Sequence, residues 1–439
     1  RELLNRFVSF YSNASYTYDD KYVLSGSIRW DRSNLWGTNS KYQNKPLWSV
    51  GGSWNIYKEK FFQADFVDML KLRASYGIGG NIGRNTAPYL IASYYDSSLV
   101  DGMAGSVNTP PNKDIRWEKT TTVNVGVDFA LFRHRLSGTI EYYNKYSVDL
   151  LAAINGSPTQ GFGYTTLMTN NGKMVNRGVE ITLSGEIIRQ KDFSWNASLL
   201  YAFNRNKVKH ISVQPSLWDS RISMPTSYPM VGKPLYGIYA YKWAGLNENG
   251  DPQVYDAENN VTSGPARDYH ALVYCGTTVP IHNASLTNVL RYKGFEFSAM
   301  LILDAGHKLR SSNIPSINMS NGRITSTAKG IVDRWTQPGD VTDVPRLLFS
   351  NDTENFNTHR TELYRYSDLF VYDASNIRLS NISLAYRVPA HWCKKISLSG
   401  ARLQFNVENV ATFAFDSKAN YDLGGKVKPN YVWGLYLNF

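Results

Sequence analysis

The stretch NKDIRWEKTTTVNVGVDFALFRHRLSGTIEYYNK (residues 112–145) reads as a β-hairpin. Val123, Val125, Val127 and Phe129 alternate with Asn124, Gly126 and Asp128. After the tight link Phe132-Arg133-His134, Leu136, Ile140 and Tyr142 alternate with Ser137, Thr139 and Glu141. Residues two apart share one face of a strand. Each arm therefore carries one apolar face and one polar, partly charged face.

The same period of two recurs along the chain. Trp48, Val50, Gly52, Trp54 and Ile56 share a parity, as do Leu70, Leu72, Ala74, Tyr76 and Ile78. Val179, Ile181 and Leu183 alternate with Glu180, Thr182 and Ser184, and Trp195, Ala197, Leu199, Tyr201 and Phe203 continue the pattern. So do Phe295 to Leu303, Leu403 to Val407, and finally Tyr431, Trp433, Leu435, Leu437 and Phe439. Sustained helical periodicity is hard to find. The predicted strands run about 10–14 residues, the length a tilted strand needs to cross a bilayer, whereas soluble sandwich strands average about five to six. Their apolar faces often end in Tyr or Trp (Tyr16, Tyr18, Tyr142, Trp195, Tyr292, Tyr386), as an interfacial girdle does.

Thirteen strands are predicted, starting near residues 7, 21, 47, 69, 119, 134, 176, 193, 281, 294, 375, 399 and 428. Their links alternate between tight (19–21, 132–134, 189–192, 292–294, 389–397) and long (33–45, 83–117, 148–174, 207–278, 307–373, 414–427), with 58–68 intermediate. Outer-membrane barrels follow this rule, with short turns in the periplasm and long loops outside. Thirteen is odd, and an open edge is not tolerated in lipid. The expectation is an all-β transmembrane antiparallel barrel of which residues 1–439 are the C-terminal part. Arg1 opens the chain without a signal or targeting segment, in keeping with a piece of a longer polypeptide.

Composition agrees. The 439 residues are 42% hydrophobic and 19% charged, and the 14% aromatic content includes 30 Tyr, so the chain is not of the disordered class. No stretch approaches the ~18 apolar residues of a spanning helix. Two cysteines exclude a disulfide scaffold and a multi-cysteine metal site. The net charge of +11 comes without a nucleic-acid motif, so nucleic acid is not an expected partner. No HExxH, GxSxG, Walker or Rossmann pattern occurs, and neither catalysis nor a cofactor is expected.

The sequence resembles the SusC/RagA-type TonB-dependent transporters of the Bacteroidota outer membrane. The resemblance rests on SGSIRWDRSNLWG (25–37), LKLRASYGIGGN (70–81), the 112–145 hairpin and NRGVEITLSGEII (176–188). It continues through GKPLYGIYAYKWAGLN (232–247), YDASNIRLSNISLAYRVP (372–389), GARLQFNVENVATF (400–413) and the aromatic ending GLYLNF (434–439). It implies a 22-stranded barrel around an N-terminal plug, with this chain supplying strands 10 to 22 and lacking the plug and first strands. It further implies a SusD-like surface lipoprotein as lid, TonB acting through the missing N-terminal part, and oligosaccharide or oligopeptide cargo. A dimer of transporter–lipoprotein pairs embedded in outer-membrane lipid completes the expectation. One departure is YDLG (421–424), where an acidic YDPE-like run is common in the family.

Loops on a rigid scaffold usually carry binding. Trp218, Tyr228, Tyr236, Tyr239, Tyr241 and Trp243 are the candidate cargo-binding residues, since aromatic faces stack on sugar rings; packing within the loops is their other reading. Lys71, Arg73, Asp128, Glu141, Glu180, Glu296, Arg378, Arg402 and Glu408 fall on polar faces, expected to meet the lumen or the plug. Asn247-Glu248-Asn249-Gly250-Asp251 has calcium-loop residue types but not the spacing, and reads as a turn, so no metal is expected. Cys275 and Cys393 are expected on opposite sides of the membrane, too far apart to bond. The rival to an importer is a secreted or surface all-β carbohydrate-binding or adhesin module.

Overall fold

The computed structural model describes residues 6–35, 37–39, 42, 45–83, 88–99, 102–156, 159, 166–215, 219–264, 268–319, 327–349, 358–424 and 428–439. Thirteen strands form the principal antiparallel sheet, and each neighbours the next in the chain. They are β1 (Phe7–Tyr18), β2 (Tyr22–Ser33), β3 (Leu47–Asn55), β4 (Val67–Asn81), β5 (Glu118–Leu131), β6 (Leu136–Asn155) and β7 (Thr166–Arg189). The rest are β8 (Phe193–His210), β9 (His282–Tyr292), β10 (Phe295–Ala305), β11 (Asn376–Arg387), β12 (Gly400–Ala414) and β13 (Asn430–Asn438). No helix among the described residues is long and apolar enough to cross a membrane, which says nothing of crossing by strands.

The chain divides into two compact units. The first comprises Arg1–Gln214, Met230–Pro234 and Ala284–Ser298. Its registers run one apolar row unbroken across eight strands: Tyr18, Tyr22, Trp54, Leu72, Val127, Ile140, Ile181 and Tyr201 are successive cross-strand partners. The adjacent row, on the opposite face, is Thr17, Val23, Ser53, Arg73, Gly126, Glu141, Glu180 and Ala202. One greasy face and one polar face are thus aligned across the whole unit, as a slip of one residue in any strand would forbid. The apolar face is open to solvent: Leu24, Val50, Val125, Ile140 and Tyr142 are all exposed.

One predicted link is corrected. Residues 148–174 are mostly strand, because β6 runs on to Asn155 and β7 starts at Thr166. The register shifts between Ser147 and Leu151, where Asp149 has φ 57°, and so the alternation in the sequence is broken although pairing resumes at Leu151↔Asn170. The link 83–117 likewise contains a hairpin, Ile91–Ser97 against Gly102–Thr109. Phe132, Arg133 and His134 all have positive φ, and their turn is tied to its neighbour by Phe132 N to Phe66 O (2.7 Å) and His134 N to Asp68 Oδ2 (2.8 Å).

The second unit comprises Pro215–Pro229, Leu235–Asn283 and Ala299–Phe439. Here Leu384, Phe405 and Trp433 are cross-strand partners on β11, β12 and β13, with the Phe405 and Trp433 rings 4.2 Å apart. The short link 389–397 holds the helix Ala390–Lys394, which buries Cys393.

Candidate functional site

Most of the two longest links folds into small, well-packed structure in the second unit. The strand Gly237–Tyr241 is fully buried and pairs with Leu272–Thr277. Trp243–Leu246, Pro252–Tyr255 and Val261–Thr262 form a three-stranded sheet, and Lys308–Arg310 pairs with Val371–Asp373. Ile317, Tyr364 and Phe370 make an apolar core, against which Trp243, Ile314, Leu369 and Tyr372 pack. The Tyr364 and Phe370 rings meet edge to face at 4.9 Å.

Two arginines tie these segments together. Arg310 donates to the carbonyls of Tyr239 (2.7 Å), Arg365 (3.1 Å) and Ser367 (3.2 Å). Burial pushes its pKa down, yet a guanidinium keeps its proton, so the carbonyls solvate a standing charge. Arg360, 3% exposed, donates to Asp251 Oδ1 (2.6 Å), Asn318 Oδ1 (2.6 Å) and the Arg346 carbonyl (2.8 Å). Asp251 also accepts a bidentate fork from Arg346, at 3.1 and 2.8 Å. The carboxylate of the calcium-like loop is thus taken by two guanidiniums. The loop is a turn, with Asn247 Oδ1 accepting from Asn249 N and Asp251 N and with Gly250 at φ +72°. No group of three or more metal-ligand residues occurs among the described residues.

Two more carboxylates fasten the link that starts at residue 306. Asp422, inside the unusual YDLG run, accepts from Ser311 Oγ (2.7 Å), Ser312 N (3.0 Å) and Ser312 Oγ (2.6 Å). Asp373 accepts from Lys308 Nζ at 3.0 Å and Ser375 N at 2.8 Å. Burial opposes the Asp373 charge, but the Ser375 and Lys308 hydrogen bonds outweigh it and hold the carboxyl at about 2. Apart from Ser375, two residues from Asp373, these carboxylates take partners far off in sequence: Asp251 is 95 residues from Arg346 and 109 from Arg360, and Asp422 is 111 from Ser311. No local pattern could have flagged them.

The six aromatic candidates are not equivalent. Tyr239 and Tyr241 are each 1% exposed and belong to the core, and burial raises the pKa of the Tyr241 hydroxyl. Tyr228 is buried as well. Trp243 is half-buried, its indole N–H donating to Asp343 Oδ1 at 3.0 Å and its amide to Asp368 Oδ1 at 2.9 Å. Tyr236 is 47% exposed. Trp218 lies outside the described residues. The cysteines are both free, Cys275 in a strand of the long 211–281 link and Cys393 in the short link between β11 and β12.

On the polar face of the first unit, Arg73 bridges two strands. Its Nε lies 3.1 and 3.0 Å from the Asp128 carboxylate oxygens, and one terminal nitrogen lies 3.2 Å from Glu141 Oε1. Thr139 Oγ1 also donates to Asp128 at 3.1 Å. The sequence parity had put all three charged groups on one face.

Long strands with one apolar face, continuous across eight strands of the first unit, and a charged opposite face are the pattern of a transmembrane β-barrel protein. The chain belongs to the family of TonB dependent receptor-like β-barrels, whose model matches residues 5–410. It is 27% identical over 98% of its length to TonB-dependent receptor P3 of Formosa agariphila, and 25% identical over 92% to TonB-dependent receptor SusC of Bacteroides thetaiotaomicron. It spans 43% and 40% of those relatives. Among solved structures it is similar to the RagAB peptide transporter, with a TM-score of 0.79 at 23% identity, covering 99% of this chain and 48% of that one.

Proposed function

We propose that the protein containing this chain imports oligosaccharides or oligopeptides across the outer membrane, driven by TonB and lidded by a SusD-like lipoprotein. The observation that carries this reading is the folding of the two longest links into packed structure with its own core and arginine ties. On a barrel, such links at the extracellular end offer a fixed surface for cargo and lid, where loose loops would have to be ordered at an entropic cost. Tyr236 and Trp243 are the aromatic candidates at its surface, whereas Tyr239, Tyr241 and Tyr228 are buried. The plug and first strands belong to the rest of the polypeptide. The likeness to the RagAB peptide transporter favours peptides and the aromatic content favours glycans, so both cargo classes stay in the proposal.

The test is to tag the full-length protein, extract outer membranes with detergent and identify what co-purifies. A SusD-type lipoprotein in near-equal amount is the expected result. A polypeptide that stays soluble without detergent and comes down alone overturns the proposal and revives the adhesin reading.

A further inference from the structure

On the apolar face of the first unit, the greasy rows give way abruptly to cations at the long-link end. Above the row Tyr142–Val179–Phe203, the next row of the same parity is Asn144–Arg177–Arg205. The row after that is Tyr146–Val175–Lys207, and Lys173 stands two residues beyond Val175 on the same face. Arg177, Arg205, Lys207 and Lys173 are all exposed. The rows Asn144–Arg177–Arg205 and Tyr146–Val175–Lys207 contain no carboxylate. Arg177 meets a neutral group, its Nε donating to Asn144 Oδ1 at 3.0 Å.

Two features make this more than a solvated basic surface. Arg177 and Arg205 are direct cross-strand partners, and like charges directly opposite destabilise a sheet. Arg73, on the other face, is by contrast matched by Asp128 and Glu141. The depth of the cluster is equally specific. From Trp195 to Phe203 the apolar face of β8 extends ~26 Å along the strand at ~3.3 Å per residue. At a tilt of ~40° that is ~20 Å of membrane height, close to the ~25 Å apolar band of such barrels. Arg205 is the next residue on that face, so the cations lie at headgroup level, against lipid rather than in the lumen.

Resting on the reading of this chain as an outer-membrane barrel with its long links outside, we propose that Arg177, Arg205 and Lys207 form a binding site for the phosphate of an outer-leaflet glycolipid. A phosphate between two guanidiniums takes paired, charge-assisted hydrogen bonds and converts the repulsive Arg177–Arg205 pair into a clamp. The acyl chains then lie on the apolar rows below, along Tyr142, Val179 and Phe203.

The experiment uses the full-length protein in detergent, with phosphorylated lipid A, dephosphorylated lipid A and inorganic phosphate as probes and native mass spectrometry as readout. The wild type is expected to retain phosphorylated lipid A and to bind the dephosphorylated form at least tenfold more weakly. The triple variant Arg177→Gln/Arg205→Gln/Lys207→Gln should lose at least tenfold, and Arg177→Lys/Arg205→Lys should fall between it and the wild type, because the charge stays while the paired guanidinium hydrogen bonds are lost. Retention of heat-modifiable migration shows that each variant is folded. Equal binding of both lipid forms, or equal binding by the folded triple variant, overturns the site. Displacement of the lipid by millimolar inorganic phosphate also overturns it, in favour of a soluble anion. Failure here in a detergent-dependent protein leaves the importer reading standing, whereas solubility without detergent removes both.

Discussion

Arg360 shows how a single buried side chain can hold a loop assembly. Replacing it with Ala leaves Asp251 to Arg346 alone and strips the Asn318 side chain and the Arg346 carbonyl of a partner. Breaking such a pair costs on the order of 3 kcal/mol. Hydrogen exchange should accelerate in residues 243–262 and 358–365, and unchanged protection there would show that Arg360 is dispensable. Asp373 makes a pH prediction. Its carboxyl is held at about 2, below the ordinary value of 3.8, so its contribution is full above pH ~4 and fades as pH falls toward 2. Protection factors, corrected for the intrinsic pH dependence of exchange, should therefore fall at residues 308–310 and 371–373 between pH 5 and pH 2, and Lys308→Met should flatten that profile. Cys275 is pushed up to about 11 by burial, with Asp368 adding to it, so a maleimide should label it slowly at pH 8 in the folded protein and fast after denaturation. If Tyr236 stacks on cargo, Tyr236→Ala should weaken binding up to about tenfold without loosening the loops. Tyr241→Ala should loosen them, because its ring is buried.

At the scale of the strand, face decides tolerance. Val125 lies on the apolar face of β5 and Asn124 on the polar one. Val125→Arg should cost ~2–4 kcal/mol in a bilayer if the row lies near its midplane, whereas Asn124→Arg should be close to neutral. Denaturant unfolding in lipid vesicles measures both, and equal costs would mean that the two faces are not divided between lipid and lumen. The strand starts were legible to within two or three residues for all but one strand, because a one-sided apolar face imposes strict alternation on the sequence. The exception, β7, begins about ten residues early, where the register shift around Asp149 moves the side chains out of phase.

The whole molecule was legible as a class. Alternating short and long links, an odd strand count and ordered family-like stretches led to a barrel portion, and the family match over residues 5–410 agrees. The chain covers 40–43% of the curated relatives named above, so energy coupling, lid and cargo belong to the longer protein and stand as proposals. Co-purification from the membrane tests the first two, and cargo screening on the intact complex tests the third.

The sequence by itself determined the strand order and the two faces, because each follows from local periodicity and chain connectivity. It also put Arg73, Asp128 and Glu141 on one face, a matter of parity alone. Only the tertiary structure decided that Tyr239 and Tyr241 are core while Tyr236 is surface, for all three occur in one aromatic run. It alone joined Asp251 to Arg346 and Arg360, and Asp422 to Ser311 and Ser312, across 95 to 111 residues. Burial and long-range pairing depend on what other segments bring to the same place, and that information is not carried by any stretch of sequence a few residues long.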